Sequence, residues 1–395
     1  MSNLKNLSNK VKADDKTREI SEAVAQIIQD KGLSVDDIGE IKRISVWDTL
    51  TSDGNGGTET QRMTAIRFSP KWETGPEWPF VEKAPVYQVP KSKTKVSRPK
   101  GWEEAVIVPD IQIGYYRKNV DNDNDLEPIH DESAIAVALK VIEDIQPNQI
   151  VLVGDNLDFA EFGKYLTTKP FKNLSQAAIN RAAKLCAQLR AAAPKAKIHW
   201  IAGNHEYRMA KYIQMNAEAA AGLTVGQIDG ELRPKWPVLS VPVVCRMDEY
   251  DIEYVPGYPE SFVSLNKNLM VCHGHKVTSN GSTTTKYLND AHISVIYGHI
   301  HRNEYAYRTR LSPDGPRTVM AASPGCLCRI DGAVPSTKQG VDEFGRPILQ
   351  GTENWQQGLA VVQYQPHGVG NEWFNYEPMW IFNGRGFFRG KEYAS

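Results

Sequence analysis

The chain has 395 residues, is 41% hydrophobic and 24% charged, and carries a formal net charge of −1 with histidine neutral. That length allows two or three structural units with ample core, and the composition is that of an ordinary soluble protein. The start, Met1-Ser2-Asn3-Leu4-Lys5, has no apolar stretch of signal-peptide length and no run approaches a membrane span, so a soluble, cytoplasmic protein is expected.

Residues 1–70 read as a small α+β unit that could serve as a binding module. Ile20, Val24, Ile27 and Ile28 fall at helical spacing, and Gly32 stops that helix. Ile41–Leu50 and Arg62–Phe68 then read as a strand pair around Ser52-Asp53-Gly54-Asn55-Gly56-Gly57. Residues 71–101 form a Pro-rich basic linker. Pro76, Pro79, Pro85, Pro90 and Pro99 forbid regular structure, and Lys91, Lys93, Lys95, Arg98 and Lys100 carry positive charge with no acid among them. Such a run suits a solvated tether or a contact to a phosphate backbone.

Residues 102–395 read as one larger unit. Strand 105–109 is followed by helix 131–145, whose Ile135, Ala138, Leu139, Ile142 and Ile145 make an apolar stripe. Strand 149–153, helix 173–193 and strand 197–201 complete a βαβαβ pattern, which predicts a sheet with parallel members. After about 245 the pattern turns to strands and hairpins, including 305–309, 318–322 and 358–364. Residues 331–357 read as an irregular excursion, and the Trp- and Phe-rich tail after 370 is expected to pack back onto the domain. The loop Asp121–Asp125 with Glu132 has Leu126 where a calcium loop needs glycine, so it reads as an exposed acidic loop. The five cysteines, at 186, 245, 272, 326 and 328, form no CxxC pair and read as buried thiols in a reducing compartment.

Five apolar runs end in potential metal ligands. Val106-Ile107-Val108-Pro109 leads to Asp110-Ile111-Gln112, and Ile150-Val151-Leu152-Val153 to Gly154-Asp155-Asn156-Leu157-Asp158. Ile198-His199-Trp200-Ile201 leads to Gly203-Asn204-His205-Glu206, Leu269–Cys272 to His273-Gly274-His275, and Ser294–Tyr297 to Gly298-His299-Ile300-His301. Buried strands read as continuous apolar runs, and ligands gather beyond the carboxyl ends of parallel strands. Carboxylates, neutral imidazoles and an amide oxygen together suit two divalent ions ~3.5–4 Å apart, which could share a bridging carboxylate and activate a bridging hydroxide. Asp155, on a central strand, is the natural bridge. His205, beside Asn204, is the candidate to protonate the leaving oxygen.

This ordered set resembles the calcineurin-like metallophosphoesterase superfamily, whose pattern is D-x-H, GD-x-x-D, GNH-[DE], H and GH-x-H. The resemblance spans roughly 102–330 and implies a four-layer αββα sandwich. It also implies that Asp110, Gln112, Asp155 and His301 hold one metal and that Asp155, Asn204, His273 and His299 hold the other. Gln112 departs from the usual histidine and is expected to favour harder ions. Manganese is the expected metal, with zinc, iron or magnesium as alternatives. The D-x-Q form is similar to manganese-dependent ADP-ribose and CDP-alcohol diphosphatases. The Gly203–Arg208 and Gly298–Arg302 blocks are similar to phage-encoded phosphoesterases, which would act in a host cytoplasm. Asp158 is expected to orient a ligand, while Glu206, Arg208, His275 and Arg302 are candidates for supporting or substrate contacts. Lys164, Tyr165 and Lys169 could also contact phosphate, and His130, His199, His292 and His367 read as structural.

The expected activity is a divalent-metal-dependent phosphoesterase (hydrolase). Its substrates would be phosphodiester or pyrophosphate bonds of nucleotides, DNA or RNA, which includes nuclease action. A phosphomonoesterase or protein phosphatase is the alternative, although Phe159 replaces the Arg that follows GD-x-x-D in λ phosphatase-like members. A non-catalytic phosphate-binding module is a further alternative, against which the presence of His205 argues.

Overall fold

The computed structural model describes residues 26, 38–52, 57–70, 98–163, 167–226, 235–278, 282–312, 315–337, 340–349 and 353–395. Ile20, Val24, Ile27 and Ile28, the prolines from 76 to 90, Lys91, Lys93, Lys95, Lys164 and Tyr165 lie outside them. The chain divides into two compact units, Met1–Lys83 and Ala84–Ser395. In the first, β1 (Ile38–Ser52) and β2 (Thr58–Pro70) pair antiparallel, with Ser52 opposite Thr58 at the turn.

The larger unit is built on two sheets. Parallel strands β3 (Glu103–Val108), β6 (Gln149–Leu152), β7 (Lys197–Ile201) and β8 (Ile252–Val255) form half of an eight-stranded sheet. Antiparallel β14 (Gly358–Tyr364), β15 (Phe374–Phe382), β16 (Arg385–Phe388) and β17 (Lys391–Ala394) extend it from β3. The tail after 370 thus supplies edge strands. A five-stranded sheet orders β12 (Asn303–Ser312), β13 (Gly315–Pro324), β11 (Ser294–Tyr297), β10 (Leu269–Cys272) and β9 (Phe262–Asn266), with β13, β11 and β10 parallel. A small hairpin, β4 (Tyr115–Arg117) with β5 (Leu126–Pro128), follows β3 and brackets the acidic loop.

The continuous apolar runs reflect burial on both faces. Along β3, Val106 and Val108 join a core with helices α1 (Glu132–Ile145) and α2 (Ser175–Ala192), while Ala105 and Ile107 face Val263, Leu269, Val271 and Ile296 of the second sheet. Successive strand side chains point to opposite faces, so a strand packed on both has no polar positions to spare. The outer face of the smaller sheet, through Val295, Tyr297, Val319 and Ala321, is covered by Tyr287 and Leu288 of α4 (Thr283–Asp290). The order is therefore helices, sheet, sheet, helix. Between α2 and α4 in the chain lies α3 (Asn204–Asn216), which starts at the GNHE block.

Helix α1 begins where Asp131 accepts from the backbone N–H groups of Ser133 (2.9 Å) and Ala134 (3.1 Å), a cap typically worth ~1 kcal/mol. Glu132 binds Arg181 of α2 at 2.6 and 2.7 Å and His130 at 3.0 Å, so these groups serve packing. Arg98, counted in the basic run, turns inward. It bonds Glu104 (2.9 Å) and the carbonyls of Ile145 (2.9 Å) and Gln146 (2.6 Å), which occupies it with the end of α1.

Candidate metal centre

Because the two sheets stack with their parallel strands ending at one side, the loops after β3, β6, β7, β10 and β11 meet there. Asp110 and Asp155 are buried, at 0% and 2% exposure. Asp110 accepts the His299 backbone N–H with both oxygens (2.9 and 3.0 Å), and its Oδ1 lies 3.3 Å from His301 Nε2. Asp155 Oδ2 has His273 Nε2 at 3.3 Å, Gln112 Nε2 at 3.5 Å and His205 Nε2 at 3.6 Å. Asp155 Oδ1 accepts the His205 backbone N–H at 2.8 Å. Asn204 Oδ1 lies 3.1 Å from His273 Nε2, and donor atoms of Asp155, His273 and His299 all fall within 4.8 Å of one another.

Two glycines of the motifs are there for room. A Cβ on Gly203 would lie 2.2 Å from Asp155 Oδ1, and one on Gly298 would lie 2.4 Å from Asp110 Oδ2. The backbone also bears the stamp of the site. Asp110, Gln112, Asp155, His299 and His301 have positive φ values of 23°, 53°, 49°, 71° and 55°. Non-glycine residues there cost on the order of 1–3 kcal/mol each and persist where surrounding structure fixes them, characteristically at functional sites.

The donor set fits divalent metal. His273 Nδ1 bonds the Val153 carbonyl at 2.9 Å, which turns Nε2 toward Asp155 and Asn204, the arrangement that orients a metal-binding imidazole. Burial lowers the affinity of His273 for a proton, but Asp155 outweighs it and raises the imidazole to about 9. Burial, reinforced by the His273 charge, lowers His299 to about 4 and keeps its ring neutral. Burial opposes ionisation of Asp155, yet His205, His273 and His299 hold its carboxyl well below the usual range. Gln112 Oε1 is buried without a hydrogen-bond partner. Turned over, the amide would present that oxygen to the carboxylates and supply the neutral donor a cation accepts.

The family model for calcineurin-like phosphoesterases matches residues 106–307, the stretch carrying all these groups. The chain belongs to that family. It is thus a metal-dependent phosphoesterase, a hydrolase of phosphate esters. A phosphoesterase from E. coli, YfcE, is similar at 12% identity, with 69% of this chain and 97% of that one covered and a TM-score of 0.26. No curated protein matches the chain. No described helix is long and apolar enough to cross a membrane.

Around this phosphoesterase centre, the supporting residues divide by what they touch. His205 is 4% exposed, and its Nδ1 bonds the Asp158 carbonyl oxygen at 2.6 Å and lies 3.4 Å from the Asp158 carboxylate. Arg208 bonds the same carbonyl at 2.9 Å and approaches His205 Nε2 at 2.8 Å. Burial lowers the His205 pKa, but Asp155 and Asp158 reverse the direction and raise it. A guanidinium can only donate, so its contact requires an unprotonated Nε2. Protonation of His205 at Nε2 therefore accompanies displacement of Arg208.

Glu206 is a buried brace. Its carboxylate accepts the backbone N–H groups of Asp155 (2.9 Å), Asn156 (2.8 Å) and Gly203 (2.9 Å), the last of these at the start of α3. Burial and the Asp155 charge raise its pKa. Glu206→Gln should lower the melting temperature and loosen metal binding. An amide oxygen cannot serve all of these donors, and each one left buried and unpaired costs about 1–3 kcal/mol. An unchanged melting curve would show the brace to be dispensable.

Arg302 is engaged with the Thr278 carbonyl (2.9 Å), Thr283 Oγ1 (2.8 Å) and Glu304 (3.5 Å), so it ties α4 to the His273 loop. Lys169 lies at the surface, 3.5 Å from Asp121, and His275 is exposed. His130 and His199 are buried, and His367 sits on Ser264 at the surface.

Three neighbours escaped the sequence reading. Trp355 packs edge-on to His301 (4.2 Å between centroids), and Tyr258 lies 5.7 Å from the His273 ring. Cys328 Sγ is 3.8 Å from His301 Nδ1, with Cys326 beside it. Burial and Cys326 raise the Cys328 thiol well above its usual pKa, so it meets His301 as a neutral thiol.

Proposed function

We propose that this phosphoesterase hydrolyses phosphodiester or pyrophosphate bonds in nucleotides or nucleic acid, with manganese as its metal. What supports this reading is that Asp155 lies against both Gln112 and His273, with His301 beside Asp110 and Gln112, and with Asn204 and His299 close to His273. Two ions held there would supply Lewis acidity at the phosphoryl oxygens and lower the pKa of a water. Val153 fixes the His273 ring, and the His299 backbone N–H fixes Asp110. His205, held by Asp158, delivers a proton to the departing oxygen. With Arg302 engaged elsewhere, Arg208 is the described cation beside His205, and one guanidinium suits the single charge of a diester.

Gln112 bears on the choice of metal. An amide oxygen is a harder donor than imidazole, which favours manganese or magnesium. Gln112→His should remain active, bind its ion more tightly and shift preference toward zinc, as metal titration would read. An inactive Gln112→His protein with two bound ions would instead assign Gln112 to substrate.

The direct test reconstitutes metal-free protein with manganese, magnesium or zinc and assays a diester, a monoester, ADP-ribose and DNA. Faster turnover of the diester or pyrophosphate with manganese is expected. Faster turnover of the monoester with every metal would overturn the reading, and a metal-loaded protein inert to all would leave a phosphate-binding module. The basic run 91–100 within the linker 71–101 is assigned to contact with polyanions, and residues 1–70 to a binding module. Deleting 1–97, which keeps the buried Arg98 contacts, should therefore spare small-diester hydrolysis and weaken DNA binding; unchanged DNA binding would rule recruitment out.

A further inference from the structure

A cavity of about 310 Å³ adjoins the metal centre between α3 and residues 236–258. Its walls are Tyr207, Met209, Ile213, Trp236, Tyr254 and Tyr258. We propose that this cavity binds the planar base of a nucleotide whose phosphate sits at the metal centre, a reading that rests on the phosphodiesterase assignment and specifies its substrate.

Place, shape and chemistry agree. Tyr258 belongs to both sites, because its ring lies 5.7 Å from His273 and also lines the cavity. Helix α3 carries Asn204 at its start and Tyr207, Met209 and Ile213 along the cavity, so a phosphoryl group at Asn204 would have its substituent directed there. The rings of Tyr207 and Tyr258 are 6.3 Å apart and tilted by 38°, and Trp236 meets Tyr254 edge-on at 5.5 Å. Tyr207 and Leu239, at the rim, are 45% and 44% exposed, which is apolar surface close to a charged centre. The volume lies at the lower end of small-molecule sites, ~300–1,000 Å³. That admits one base and its sugar, and excludes a folded partner. Among the described residues, none hydrogen-bonds the hydroxyls of Tyr207, Tyr254 or Tyr258 or the side-chain amide of Gln214. Flat apolar walls with polar groups at the edges match a heteroaromatic ring, whose faces stack and whose edges donate and accept. An aliphatic chain would leave those edges unpaired.

Calorimetry with manganese-loaded, full-length protein tests the assignment by comparing AMP with ribose 5-phosphate, which lacks the base. AMP should bind roughly tenfold tighter, the size of one base–aromatic stacking contact. Ala210→Trp and Gln214→Trp place bulk into the cavity from exposed positions of α3 and should each abolish that advantage, with melting curves confirming that the variants fold. Equal affinities, no binding of either compound, or an undiminished advantage in both variants would overturn the proposal. Release of phosphate from AMP would count against the diesterase reading alone, because the ratio of KM values for the two sugar phosphates would then report the contribution of the base.

Discussion

Asp155→Ala should strip both ions from the protein and abolish turnover. Every donor set described above converges on this carboxylate. Its Oδ2 lies 3.3 Å from His273 and 3.5 Å from Gln112, and its Oδ1 pins the backbone that positions His205. Of the other carboxylates buried at the centre, Asp110 is tied by both oxygens to the His299 N–H and Glu206 to the N–H groups of Asp155, Asn156 and Gly203, so neither is placed to replace it. Mutating a residue that merely supports a ligand typically costs ~10–100-fold in metal affinity, and loss of a shared ligand should exceed that. Asp155→Asn separates charge from architecture, because it keeps an oxygen for the His205 N–H and removes the negative charge. Its fold should survive while its metal content falls. Elemental analysis of the purified variants measures this directly, and two ions still bound to Asp155→Ala would show that another group bridges them.

The ligand strands were legible because strands buried on both faces have to be apolar throughout, and each run stops where a ligand begins. Helices α1 and α2 were legible from their 3.6-residue period. Helix α3 was not, because its buried face includes His205 and Glu206 beside Met209 and Ile213, which breaks the apolar stripe. Helix α4 is short and buries Thr283 and Thr284, so it too lacks an apolar pattern. The left-handed backbone at Gln112, Asp155, His299 and His301 leaves no trace in the sequence, since none of these residues is glycine. Cys328 and Trp355 reach His301 through a chain return from the irregular 331–357 excursion and its approach, and spacing does not encode such a contact. Composition overstated the basic run, because Arg98 belongs to the core of the larger unit.

His205→Ala should keep both ions and lose most of its turnover on esters with poor leaving groups. A positioned proton donor contributes ~10²–10⁴-fold, and the structure supplies what such a donor needs. The ring is fixed through Nδ1 by the Asp158 carbonyl, its Nε2 lies 3.6 Å from Asp155, and its pKa is raised by the two aspartates against burial. Arg208 sits on Nε2, so a substrate phosphate that draws the guanidinium away would free that nitrogen to carry the proton. Proton donation then predicts a graded loss. p-Nitrophenolate departs without help and should lose least, whereas alkyl and nucleoside alkoxides should lose most. Arg208→Lys separates the two roles, because it keeps a cation for phosphate but gives up the forked contact, so KM should rise more than kcat falls. Plotting log kcat against leaving-group pKa for wild type and His205→Ala should give a steeper negative slope in the variant. Parallel lines would mean that the His205 ring acts by holding Asp158 and Arg208 in place and donates no proton.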